Sequence, residues 1–260
     1  MMRAVLDDGP SPSTPPLVGE EGPRPSRPAT SRSDGAGRAL LIAAVVSLVA
    51  CTGAALSPRA HEATVVGAVF LGATWWLVLR GDTADIREHG LGIGGLLEPD
   101  RLDARRVLAS AARAVAWALG AAAVTWPFFA VGLPIYYGAS KSFAVPHIKE
   151  PLDLVLGQLF VIALPEEAFF RGFLQTRLDR AWPKRWRILG ADVGVSIVVT
   201  SVMFAVAHVL TLPLPARLAV FFPSLLFGWL RARTRGIGAS VLFHAGCNLF
   251  SMFMRDGYDV

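Results

Sequence analysis

Charge is scarce in this 260-residue chain. Asp, Glu, Lys and Arg make up 17% of it, against about a quarter in soluble domains, while hydrophobic residues reach 53% and the mean hydropathy is +0.48. That balance excludes an ordinary soluble domain, and apolar runs of the length needed to cross a bilayer recur along the chain. Cysteine is scarcer still: Cys51 and Cys247 both lie in apolar runs. Two such residues exclude a disulfide framework and a cysteine-based zinc site, and both read as small core residues. No apolar core follows Met1 within the window of a secretory signal, so the first apolar run, near Ala39, reads as an uncleaved anchor. No internal repeat is evident, which removes the inverted-repeat signature of many transporters.

What is present is a succession of apolar segments. Residues 1–36 carry Pro10, Pro12, Pro15, Pro16, Pro23, Pro25 and Pro28 among Ser, Gly, Asp and Arg, and are expected to form a disordered cytoplasmic tail. Residues 37–260 are then expected to form one all-α transmembrane bundle of about seven spans. These are roughly Ala39–Ser57, Thr64–Leu79, Val107–Leu133, Leu152–Phe173, Gly190–Leu210, Leu214–Leu230 and Ile237–Phe253.

The net charge of +5 and pI near 9.8 do not point to nucleic acid, because the bases sit in short clusters between the apolar runs. Arg-rich stretches precede span one and follow spans two, four and six; the remaining connections hold only Arg59, Lys141 with Lys149, Arg217 and Arg255. Rich and poor connections alternate, which by the positive-inside rule places the N-terminus in the cytoplasm and the C-terminus outside. The glycines between Arg80 and Arg106 are not a phosphate loop, since no strand precedes them and no Gly-Lys-Ser/Thr follows.

Polar groups inside the spans are few. Glu166, Glu167 and Arg171 lie in span four, and ionised carboxylates in hydrocarbon are retained where they pair, line a wet cavity or do chemistry. Glu167 and Arg171 are four apart, with the acid on the favourable N-terminal side, so they pair and leave Glu166 as the free acid. Pro165 just before it kinks the helix or opens a carbonyl. Phe204 and His208 share a face of span five, and His244 and Asn248 a face of span seven, by the same four-residue spacing. Each alone is an ordinary interhelical hydrogen-bonding residue. Together they suit hydrolysis: a carboxylate and an imidazole activate water while a second imidazole and an amide stabilise an oxyanion.

The ordered triple E-E-x-x-x-R, F-x-x-x-H and H-x-x-x-N, within about Leu152–Phe253, resembles the three motifs of the CPBP (CAAX protease and bacteriocin-processing, or Abi) intramembrane endopeptidases, which include the Rce1-type enzymes. The resemblance implies a membrane-embedded peptidase cavity. Glu166 would be the catalytic glutamate, His208 its partner in activating water, and His244 with Asn248 the oxyanion pair. Glu167, Arg171 and Phe204 would be supporting motif residues. It implies a glutamate-type enzyme without cofactor, with zinc on Glu166, His208 and His244 as the alternative. The partners implied are the lipid bilayer and a protein or peptide substrate cut near the membrane or its C-terminus. The short Ala- and Arg-rich chain also resembles the myxosortase-type branch and suggests a bacterial inner membrane. A non-catalytic scaffold or chaperone, and a proton-coupled transporter using Glu166 and His208, are the other readings of the same residues. Counting helical rise from the expected span ends puts His208 toward the outer leaflet and His244 nearer the inner one.

Overall fold

The computed structural model describes residues 29–98 and 102–260, and side chains from residue 35 onward. The expected tail, residues 1–36, lies outside the described residues up to Pro28; helix α1, Ala29–Ala55, begins at the next position. Helix α2, Glu62–Thr74, continues through a π turn at Trp75–Leu79, and the short α3 occupies Thr83–Glu88. Helix α4 is Ala104–Tyr137. Its start is fixed by Asp103, whose carboxylate accepts from the amides of Arg105 (2.9 Å) and Arg106 (3.3 Å), and its end by Gly138 in the left-handed region at φ 68°.

Helix α5 runs without a break over residues 151–181, through π turns at Gly157–Ala163 and Ala168–Gln175. A β-hairpin follows, β1 (Trp186–Ile188) antiparallel to β2 (Ala191–Val193). Helix α6 is Val195–Thr211; a 3-10 turn at Pro215–Val220 leads into α7, Phe221–Thr234; and α8 is Gly238–Tyr258.

Each of the seven expected apolar stretches is thus helical over most of its length, and the fold is an all-α bundle. Three helical stretches, Gly35–Ala55, Arg59–Leu79 and Ala104–Tyr137, are long and apolar enough to cross a membrane by length and composition. Span five begins later than expected. Residues 191–193, apolar enough to pass for helix, pair in the hairpin instead, because Leu189 and Gly190 both adopt positive φ and turn the chain back. Span six is shifted too, since Pro213 and Pro215 hold its first residues out of the α-helix until Phe221.

Large side chains on the outside of the long helices are bare: Leu41 on α1 and Phe128 and Ile135 on α4 are 65%, 74% and 78% exposed. That arrangement is favourable in lipid and costly in water.

The connections sort onto two ends of the bundle. At the basic-rich end, Arg180 bonds Asp85 at 3.0 Å and Glu88 at 2.5 Å, Arg231 reaches the Glu88 carbonyl at 2.7 Å, and the Ile237 amide donates to Gly90 at 3.1 Å. Gly90, at φ 68°, leaves no room for a side chain beside the Arg231 guanidinium. Glu98 accepts from Arg87 (2.8 Å) and from both terminal nitrogens of Arg106 (2.9 Å each). At the other end Tyr136 donates to the Ala216 carbonyl at 2.6 Å and Tyr137 meets Ser251 at 2.9 Å, while Lys141 pairs with Asp259.

Candidate functional site

The site grows out of α5. Pro165 has no amide to offer the Val161 carbonyl one turn earlier, and its ring would press on that oxygen in a regular α-helix. The π turn at Gly157–Ala163 spreads the backbone there, and helices of this kind of bulge are frequent at functional sites. Helix α2 takes advantage of the opening: a methyl group on Gly67 would collide with the Val161 carbonyl oxygen, so only glycine permits this approach. An aromatic cluster packs round the next turn. Phe70 of α2 lies 5.1 Å from Phe169 and 5.3 Å from Phe170, and Phe170 lies edge-on to Phe204 of α6 at 5.1 Å.

Within this shell Glu167 and Arg171 are fully buried and paired, Oε1 to Nη1 at 2.8 Å. The guanidinium is further held by Ser224 of α7, through its hydroxyl at 2.7 Å and its carbonyl at 3.2 Å, and lies over Phe204 (4.5 Å) and Phe227 (5.1 Å). Such partners are what a buried ion pair needs to offset its desolvation. The same Glu167 oxygen also accepts from His244 Nδ1 at 3.0 Å. His244 stacks on Phe227 at 4.7 Å and meets Phe204 edge-on at 5.7 Å. Because a carboxylate only accepts, His244 carries its proton on Nδ1 and turns Nε2 toward Glu166, whose Oε2 lies 3.8 Å away.

Glu166, His208 and Asn248 all line one cavity of about 390 Å³. The His208 Nδ1–H donates to the Phe204 carbonyl at 2.9 Å, so in the neutral ring Nε2 holds the free lone pair. His208 also stacks near Phe204, ring centres 4.3 Å apart, so both histidines rest against this phenylalanine. The rise estimate that separated His208 from His244 assumed parallel helices starting at one level, and the helices do not obey it. His244 itself is buried behind Glu166, outside the residues that form the cavity wall.

Four further residues belong to this site and were not singled out from sequence. Gln158 lines the cavity, and its side-chain oxygen accepts from the Asn248 amide at 2.9 Å. It is a lone amide in an apolar run, the same signal that marked Asn248. Ser224 gave no signal, since serine is common in spans and its partner is 53 residues away. Arg217, set between Pro215 and Val220, lines the same cavity, as does Glu62. Cys51 reaches the Ala207 carbonyl (3.6 Å) and the Thr211 hydroxyl (3.3 Å) and forms part of the cavity wall, while Cys247 is half-buried; both are free thiols.

Among the described residues no group of three or more His, Cys, Asp or Glu side chains is arranged to hold a metal ion. In the alternative zinc set of Glu166, His208 and His244, both histidines donate through Nδ1 and keep Nε2 free, as a metal-bound imidazole also does.

Residues 149–250 match the family model described as type II CAAX prenyl endopeptidase, Rce1-like. The matched segment contains Gln158, Glu166, Glu167, Arg171, Phe204, His208, Ser224, His244 and Asn248. No curated protein matches the chain. No solved structure matches it. By its apolar helices and this match the chain is an integral membrane protein, and over residues 149–250 it is similar to that endopeptidase family.

Proposed function

We propose, from the Rce1-like match and from the cavity that Glu166, His208 and Asn248 share, that this chain is an intramembrane endopeptidase cutting a membrane-associated protein by activated water. The convergence of those three side chains, from three helices, on one cavity carries the reading. A cavity of this size, mostly apolar but holding a carboxylate, an imidazole and an amide, accommodates water and a stretch of peptide.

Glu166 takes the proton of the attacking water as its oxygen adds to the scissile carbonyl. His208 Nε2, its lone pair left free by the Phe204 bond, accepts a hydrogen bond from the same water, and Glu166 then returns its proton to the leaving amine as the carbon–nitrogen bond breaks. The Asn248 amide has one N–H on Gln158 and a second for the oxygen that gains charge. His244 holds Glu166 in place from behind and is fixed in turn by Glu167 and Phe227. None of these steps calls for a cofactor, so chelators are expected to leave turnover unchanged.

The lining residues Glu62, the first of α2, and Arg217, in the turn before α7, lie at the basic-poor end of the bundle, so the cavity communicates with that end. With the positive-inside rule this reads as an opening to the outer side of a bacterial inner membrane, with the N-terminus in the cytoplasm.

The test is cleavage of a membrane-anchored reporter carrying candidate C-terminal segments by the full chain in proteoliposomes. Glu166→Gln abolishes turnover, and Asn248→Ala lowers kcat by about 100- to 1,000-fold, the usual loss of one oxyanion donor. Undiminished cleavage by Glu166→Gln sinks the proposal.

A further inference from the structure

A second concave site lies at the basic-rich end, away from the Glu166 cavity. It is a groove of about 500 Å³ lined by Arg113 and Trp117 of α4, Arg187 and Asp192 of the hairpin, and Arg233 and Arg235 at the end of α7. Four guanidinium groups thus face one carboxylate. Asp192 is engaged by Arg187 at 3.1 Å, whereas Arg113 and Arg235 have no ion pair among the described residues. Arg233 is preset: its guanidinium lies 4.5 Å over the Trp117 ring, and its Nε is buried without a hydrogen-bond partner.

Two backbone features single this groove out. Arg235 closes α7 in the left-handed region at φ 58°, where glycine or asparagine is usual and Gly236 is the very next residue. An arginine held in that conformation places its charge at the groove in spite of the backbone. Leu189, at φ 47°, forms the hairpin tip with Gly190, and it is 82% exposed beside half-exposed Trp186 and Ile188. Trp229 pins this tip by donating to the Ile188 carbonyl at 3.0 Å. A bare apolar tip beside clustered arginine has the character of a segment seated at the acyl–headgroup boundary.

The position along α4 agrees. Its 34 residues extend about 51 Å, well beyond a hydrocarbon core of about 30 Å. Tyr136 and Tyr137 mark one interface, and Arg113 lies about 35 Å back along the helix, at the other.

We propose that this groove binds the phosphate of an anionic phospholipid from the leaflet at the basic-rich end, with the hairpin tip among its acyl chains. The site is independent of the peptidase reading and stands whether or not the chain cleaves peptides.

The experiment is native mass spectrometry of the full chain in neutral detergent, titrated with phosphatidylglycerol, with phosphatidylcholine, and with phosphatidylglycerol against an equal concentration of inorganic phosphate. Phosphatidylglycerol is expected to bind at least about tenfold more tightly than phosphatidylcholine, and Arg113→Gln/Arg233→Gln to weaken it by about 10- to 30-fold. Arg113→Gln/Arg235→Gln, two exposed positions, carries the same test with a smaller loss should the first variant lose its helical signal. Equal binding of the two lipids, or unchanged binding by a folded variant, overturns the site. Displacement of the lipid by inorganic phosphate at equal concentration overturns the lipid assignment in favour of a soluble anion.

Discussion

Removing the Arg171 charge leaves Glu167 ionised in a fully buried position with His244 as its remaining side-chain partner. Breaking a buried pair from one side costs about 3–5 kcal/mol, because the abandoned charge has lost its compensation. Arg171→Met keeps the length of the side chain but forfeits the 2.8 Å bond to Glu167, the 2.7 Å bond to the Ser224 hydroxyl and the contacts over Phe204 and Phe227. Glu167→Gln strands the guanidinium in the same way, with Ser224 left to it. Removing both at once strands neither charge. The double variant is therefore expected to lose about as much as either single one, about 4 kcal/mol, so that the coupling is itself about 4 kcal/mol in size. Unfolding by SDS in mixed micelles, followed by tryptophan fluorescence and circular dichroism, measures all four corners of the cycle. Losses that simply add, to within about 0.5 kcal/mol, would show that Glu167 and Arg171 are independent and would refute the pairing argument.

Other consequences follow from particular contacts. Gly67→Ala forces α2 away from the Val161 carbonyl and should cost about 1–3 kcal/mol in the same assay, whereas Gly72→Ala, with open space around it, should cost nothing. The Glu98 carboxyl is held below the usual range by its hydrogen bond to Arg87, with Arg106 adding to it. A depressed folded value means its contribution is full above the unfolded value, about 4.3, and is lost as pH falls below it through the folded one. Stability of wild type over Glu98→Gln, about 2 kcal/mol at neutral pH, should therefore shrink as pH falls below about 4.3; a gap that does not narrow on acidification would contradict this. A cysteine placed at Arg217 in a Cys51→Ala, Cys247→Ala background should react with an impermeant maleimide added outside intact cells, and one placed at Arg235 should not. The reverse pattern would invert the proposed orientation.

Much of the bundle was legible because membrane helices announce themselves by continuous hydrophobicity, and charge in the connections by its side. The Glu167–Arg171 pair was legible for a local reason, the four-residue spacing of one helical turn. What escaped were partners set by tertiary packing. Ser224 and Gln158 matter only because α7 and α8 come to lie beside α5, and nothing local foretells that. The hairpin escaped because Ala191 and Val193 are as apolar as any helical residue, so hydrophobicity could not separate strand from span. His208 and His244 looked too far apart because rise was counted along helices taken as level and parallel.

The π turn at Gly157–Ala163 has one more implication. An α-helix sets direction by counting: each residue turns the chain by about 100°. A segment wound more widely than its neighbours stores an offset in that count, upstream of Glu166. Where the acid points is thus governed by a number of residues as much as by their kinds. Shortening that stretch by one would leave hydropathy, charge and all three motifs intact and still swing Glu166 away from the wall it shares with His208 and Asn248. Homologous chains of equal motif content need not be equal machines; the spacing between Gln158 and Glu166 is the dial to compare.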